Sequence, residues 1–155
     1  REMSQLSQLS HELKIPCVVS SSGPLKSYLE KKYPEAKFIG YIQDKEMSDL
    51  YASATIFALT SEPDAEGEGL VVFEAMAAGK PVVCSNIHSL RDDIIDGKNG
   101  FYCKSYEEFK KKLGHLWNDE SLQQSFSKEG LKKAREKDVY KSVDKIVNVY
   151  KSLAK

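Results

Sequence analysis

A doubly wound, parallel α/β sheet is the fold class this sequence predicts, on three observations. Short apolar runs recur at 16–20, 37–42, 55–60 and 81–85, each of a length that suits a strand buried in a parallel sheet. Stretches with apolar residues at helical spacing fill the intervals between them. Glycine and proline mark the joints, at Ser22-Gly23-Pro24, Gly67-Glu68-Gly69 and Gly79-Lys80-Pro81. Strand and helix in such alternation imply right-handed crossovers, with helices on both faces of one sheet.

The elements follow in order. Met3, Leu6, Leu9 and Leu13 form one face of a first helix, and 16–20 is the first strand. After the turn at Ser22-Gly23 a helix opens with Pro24 at its first position, where a missing N–H costs nothing, and Leu25, Tyr28 and Leu29 facing inward. The second strand covers 37–42. Asp44 is placed to cap the next helix, whose Met47, Leu50, Tyr51 and Ala54 make one stripe. A third strand over 55–60, a helix opened by the glycines at 67 and 69, and a fourth strand over 81–85 come next, with a short fifth at 100–103. Ser105 and Glu108 form a capping box for the helix that carries Tyr106, Phe109, Leu113, Leu116 and Trp117. Two further helices, near 122–133 and 140–153, close the chain. In such a sheet ligands bind beyond the strands' carboxyl ends, which gathers the loops at 20–23, 41–45, 61–69 and 85–90.

Length and composition narrow the function. The 155 residues suit one domain with a core that needs neither disulfide nor metal. The 23 basic and 23 acidic side chains cancel, so no general field favours nucleic acid or an anionic membrane. Lys110-Lys111-Lys112 reads as a solvated helix face. Cys17, Cys84 and Cys103 are odd in number, lie in apolar surroundings and form no C-x-x-C pair; they read as reduced, buried thiols of a cytoplasmic protein. No signal peptide or membrane-spanning apolar run is evident. No His, Cys and carboxylate cluster has metal-ligand spacing, so no metal is expected.

The candidate site lies at 66–74. Gly67 and Gly69 precede a helix and let the backbone approach a ligand closely. The unpaired N–H groups from Gly69 through Leu70 and Val71, with the positive end of the helix dipole, favour an anion such as a diphosphate. Glu66 on the loop and Glu74 one turn inside the helix flank that anion, and each can accept hydrogen bonds from ligand hydroxyls.

Two glutamates separated by seven residues and followed by Ala-Met-Ala-x-Gly-x-Pro-Val-Val resemble the nucleotide-binding, Rossmann-like C-terminal half of retaining GT-B glycosyltransferases of the family 4 type. The resemblance extends to Ser22-Gly23-Pro24 with Leu29-Glu30, Phe38-Ile39-Gly40, Leu50-Tyr51 with Ala54, Ser61, and Asp96-Gly97-Lys98-Asn99-Gly100-Phe101. It implies transfer of a sugar from a nucleotide diphosphate donor to an acceptor hydroxyl with retention of configuration, in glycan, glycolipid or protein glycosylation and in polysaccharide biosynthesis. In the family Glu74 holds the ribose hydroxyls and Glu66 the donor sugar's 3-hydroxyl, a catalytic contribution through orientation. Gly23, Tyr41 and Ile42 match positions that receive the donor, the last two flanking its base. No cofactor beyond the donor substrate and no metal is implied.

The resemblance also implies what lies outside this stretch. Family members begin this domain with another strand carrying Gly-Arg and, a few residues on, Lys-Gly. Neither is evident here, and an N-terminal acceptor-binding domain is absent, so the chain reads as a fragment, inactive alone, of a two-domain enzyme. The acceptor, a glycan, lipid or protein, would be bound by that missing domain. Peripheral association at the inner face of a membrane and a cytoplasmic location fit the resemblance.

The sequence departs from the family at Glu68, where apolar residues are common and a third carboxylate must turn away from a diphosphate. The acidic loop Ser61-Glu62-Pro63-Asp64-Ala65 is longer than usual, and Ile87-His88-Ser89-Leu90 replaces paired glycines. His88 reads as a solvent-exposed histidine, Asp92 as a structural cap, and His11 and His115 as structural. Other readings remain open: a non-catalytic glycosyltransferase-like subunit, or a sugar-nucleotide epimerase of the same architecture. A dinucleotide-binding dehydrogenase needs a third glycine and a position after the first strand, which Gly67-x-Gly69 lacks.

Overall fold

The computed structural model describes residues 2–20, 23–62, 67–137 and 139–153. Its order is α1 (Glu2–Leu13), β1 (Cys17–Val19), α2 (Lys26–Lys32), β2 (Ala36–Phe38), α3 (Asp44–Ser53), β3 (Phe57–Leu59), α4 (Leu70–Ala77), β4 (Val82–Ser85), β5 (Phe101–Cys103), α5 (Tyr106–Trp117), α6 (Glu120–Glu136) and α7 (Val139–Leu153), with a 3-10 turn at His88–Leu90. Every ladder is parallel, as the alternation predicts. Cys17 pairs with Ala36 and Val19 with Phe38; Phe57 pairs with Val82, and Val83 with Phe101.

β4 shows why the sheet is covered on both faces. Its side chains alternate, and Val82, Val83 and Cys84 are all fully buried. Val82 and Cys84 join Val72, Met76, Ile87 and Leu90 in a core on the α4 side. Val83 points the other way, into a core of Leu9, Phe101, Phe109, Leu116 and Phe126. Phe101 and Phe126 meet edge to face at 4.9 Å between ring centres, the arrangement that opposes ring edge to ring face. α6 closes the α4 side: Gly130 leaves room for Met76, whose Cγ would stand 3.2 Å from a Cβ there, and Ser127 Oγ donates to Gly79 O at 2.6 Å.

The single sheet expected from the sequence is two in the structure, β1-β2 and β3-β4-β5. Among the described residues β1 and β3 each keep one edge without a ladder partner, while α1 packs against β1, β2 and β3 and so spans both sheets. A third core of Val19, Leu29, Tyr33, Ala36 and Phe38 serves the smaller sheet. Val18 on β1 is 52% exposed, against the expectation of a buried strand, because no element among the described residues covers that face.

Several local expectations change. α2 begins at Lys26, two residues after Pro24, because Lys26 N–H closes a turn onto Gly23 O at 3.1 Å; Leu29 turns inward, but Leu25 and Tyr28 are exposed. Gln43, not Asp44, holds the N-cap of α3, and Asp44 is its first residue, an acid that answers the dipole. At α5 Ser105 Oγ accepts from Glu108 N–H as the capping box requires, but the Glu108 carboxylate reaches back to Lys104 N–H at 2.8 Å. Lys112 is not on a solvated face: it pairs with Asp96 at 2.8 Å and Glu108 at 2.7 Å and lies 5.4 Å from the centre of the Phe101 ring. Cys84 and Cys103 are buried as expected, and Cys17 is half-buried. α7 leaves Val143, Ile146, Val147, Tyr150 and Leu153 exposed along one side.

Candidate functional site

Gly69 caps the start of α4 with φ +64° and ψ +35°, a left-handed conformation that glycine enters at little cost. Space makes the same demand, since a Cβ at this position would stand 2.8 Å from Leu90 Cδ2. Leu90 is fully buried at the end of the 3-10 turn, so the mouth of α4 is pressed against the loop that follows β4. Val72 N–H donates to Gly69 O at 2.9 Å, which leaves the Leu70 and Val71 amides ahead of the first bond of the helix. Those amides and the dipole are what an anion would meet.

The neighbouring loop is braced. Ser85 Oγ donates to Ser61 O, which ties the loop after β3 to the end of β4. The Tyr102 hydroxyl lies 2.6 Å from Asn86 Oδ1 and 3.0 Å from Ile87 O. Behind it, the buried Asp93 pairs with Lys133 at 3.1 Å and Lys137 at 2.8 Å. Burial pushes the Asp93 carboxyl up, but the two lysines outweigh it and hold the group below the usual carboxylate range. Asp93, rather than the exposed Asp92, therefore has the structural role; Asp93 N–H donates to Leu90 O at 3.1 Å and turns that residue inward.

Glu74 stands one turn inside α4 and is exposed, while Val72, Phe73, Ala75 and Met76 around it are buried. Tyr51 of α3 donates its hydroxyl hydrogen to Glu74 Oε2 at 2.8 Å. Its ring is buried and lies 5.8 Å from the Phe57 ring. Burial pushes the Tyr51 phenol well above its ordinary value, and the hydrogen bond and charge of Glu74 push it further, so it remains a donor at any physiological pH. One lone pair of the carboxylate is thereby occupied and the others stay available to a ligand. Lys80, the lysine that follows in sequence, donates instead to Ala52 O at 2.8 Å.

Of the residues singled out from the sequence, Gly67, Gly69, Leu70, Val71 and Glu74 meet at this helix mouth. Gly67 and Glu68 are exposed, with nothing within 4 Å of a Cβ built on Gly67. Glu66 lies outside the described residues, with the adjoining 63–65. Gly23, Tyr41 and Ile42 lie beyond the ends of β1 and β2, where Ser20 Oγ donates to Gly40 O at 3.4 Å. Tyr41 is 80% exposed and Ile42 half-buried. His88 sits exposed on the 3-10 turn.

The loops after β3 and β4 meet at the strands' carboxyl ends as the sequence leads one to expect, and with the residues after β5, which sequence reasoning missed, they enclose a cavity of about 380 Å³. Thr60, Ser61, Ser85, Asn86, Lys104 and Tyr106 contribute to its wall, and no residue of α4 does. Its hydroxyl-rich lining comes from three separate strand ends, so no local motif announces it. Among the described residues no group of three or more His, Cys, Asp or Glu is arranged to hold a metal ion. Nor is any described helix long and apolar enough to cross a membrane.

Comparison with known proteins finds relatives in sequence and in fold. The chain is 34% identical to sulfoquinovosyl transferase SQD2 of Arabidopsis thaliana over 139 residues, 85% of this chain and 27% of that protein. It is 30% identical to O-antigen chain mannosyltransferase B of Escherichia coli over 117 residues, 76% of this chain and 30% of that one. The chain thus spans less than a third of the length of these relatives. The crystal structure of the C-terminal domain of the group 1 glycosyl transferase LpcC from Francisella tularensis matches with a TM-score of 0.75 and 25% identity, over 87% of this chain and 78% of that chain. A mutant of S. aureus TarM, crystallised with UDP, matches over 96% of this chain and 32% of its own with a TM-score of 0.83, a likeness of fold at 21% identity. The sequence model of the glycosyl transferases group 1 family matches residues 25–133, a span that holds Tyr51, Gly69 and Glu74. The chain belongs to the glycosyl transferases group 1 family.

Proposed function

We propose that this chain is the donor-binding half of a retaining glycosyltransferase of the family 4 type, which moves a sugar from a nucleotide diphosphate to an acceptor hydroxyl. The observation that carries this reading is the mouth of α4, where the left-handed Gly69 exposes the Leu70 and Val71 amides and Glu74 stands one turn away with a fixed hydrogen-bond partner. Related structures support a uridine diphosphate donor: pneumococcal GtfA was crystallised with UDP and GlcNAc, and Anabaena HepE with UDP-glucose.

In this reading the diphosphate is the leaving group, and the barrier falls as its growing charge meets preorganised amide donors. Glu74 takes the ribose hydroxyls and Glu66 the donor sugar, both acting by orientation rather than by proton transfer. Tyr41 and Ile42 flank the base, and Gly23 lets the backbone come close. Helix dipole and cations replace a metal, and no further cofactor is needed. The expected Gly-Arg and Lys-Gly cations would ride on an additional strand, for which the unpaired edges of β1 and β3 beneath α1 offer a place. An acceptor domain outside this stretch would bind the glycan, lipid or protein, in the cytoplasm or at the inner face of a membrane.

The test is titration of the protein with UDP, GDP and ADP, wild type beside Glu74→Ala. At least one nucleotide binds, and the substitution weakens it at least about tenfold, the loss of a charged hydrogen-bond acceptor. Equal binding by both proteins refutes the site.

A further inference from the structure

Glu74 is an exposed helical glutamate, and such a side chain samples several rotamers unless something holds it. In this structure something does. Tyr51, from a different helix and 23 residues earlier in the chain, reaches up from the core with its hydroxyl 2.8 Å from Oε2. Its ring is fixed by burial against Phe57 and by membership of the core that also contains Phe73 and Ala75, the residues of α4 on either side of Glu74. The donor is rigid and neutral, and its one hydrogen has been spent on Glu74.

We propose that Tyr51 is a positioning residue, which holds the Glu74 carboxylate in the single orientation that reads the paired hydroxyls of the donor's ribose. The inference rests on the reading of Glu74 given above and adds to it the source of that glutamate's order. A vicinal diol donates two hydrogen bonds to a carboxylate whose plane is fixed, and gains less from one free to rotate, because the rotamer entropy must then be lost on binding. Tyr51 therefore acts on affinity for the ribose and on discrimination against nucleotides that lack its hydroxyls, without touching the ligand itself. A purely structural tyrosine would act on stability alone.

The experiment titrates wild type, Tyr51→Phe, Glu74→Ala and the double variant with UDP, GDP and ADP, each beside its 2′,3′-dideoxy form, and records the melting temperature of each protein. The phenylalanine keeps the ring and its packing. Tyr51→Phe lowers affinity for the ribonucleotide about five- to tenfold and leaves the dideoxy form unchanged, the size expected for one hydrogen bond acting through a neighbour. The double variant binds no more weakly than Glu74→Ala, since the tyrosine has nothing left to position. If Glu74→Ala loses the discrimination while Tyr51→Phe retains wild-type affinity and discrimination, the positioning role is wrong and the reading of Glu74 stands. If Glu74→Ala leaves both affinities untouched, the reading of Glu74 itself fails. A Tyr51→Phe effect that persists at full size in the Glu74→Ala background also overturns the proposal, because it then does not run through the glutamate.

Discussion

Gly69 and Leu90 pack so closely that a Cβ at 69 would lie 2.8 Å from Leu90 Cδ2, so any other residue there must displace the leucine. This contact joins the start of α4 to the turn after β4, and the proposed anion site exists only where the two meet.

Gly69→Ala is therefore expected to destabilise the fold by about 2–4 kcal/mol, combining the left-handed backbone penalty with overpacking. Thermal or denaturant unfolding measures it. In a Leu90→Ala background, itself less stable because of the cavity it leaves, Gly69→Ala should cost less than in the wild type, since the clash is gone and only the backbone strain remains; an equal cost in both backgrounds would show that Leu90 is not the obstacle.

Asp93 links the same turn to α6 through Lys133 and Lys137. Its carboxyl is held below the ordinary range in the folded protein, so its contribution is fully present above the unfolded value of about 4 and is lost as pH falls through the lower folded value. Asp93→Asn should cost about 1–2 kcal/mol at neutral pH. Denaturant titrations across pH should show the gap between the two proteins closing in acid and not in base.

Burial pushes the thiols of Cys84 and Cys103 up to about 12 and that of Cys17 to about 11. A thiol-reactive dye at mildly alkaline pH should thus label the native protein slowly, with half-buried Cys17 first, and all three cysteines at once after denaturation. Rapid native labelling of Cys84 or Cys103 would contradict the packing around β4.

Much of this was legible in the residues, for physical reasons that differ by element. β4 declares itself because Pro81-Val82-Val83-Cys84 is apolar on both faces, and only a strand covered on both sides tolerates that. The helix mouth is legible because a left-handed N-cap needs glycine, and Gly69 is one. Tyr51 was visible as one member of an inward stripe, but its hydroxyl partner lies on another helix, and no spacing reveals that Tyr51 and Glu74 meet. Asp92 and Asp93 are indistinguishable by type; the backbone turn at Leu90 decides which enters the core. Lys112 looked solvated because its partner Asp96 sits 16 residues away, beyond any helical period. The division into two sheets depends on which edges find partners, and edge pairing leaves no local signature in a strand of three residues.

The most direct measurement is a crystal structure of the protein with a bound nucleoside diphosphate or nucleotide sugar. The diphosphate is expected within hydrogen-bond distance of the Leu70 and Val71 amides, with the ribose hydroxyls on Glu74 and the Tyr51 bond intact. A nucleotide seated elsewhere, such as the cavity between Ser61, Asn86 and Tyr106, with Glu74 untouched, would contradict it.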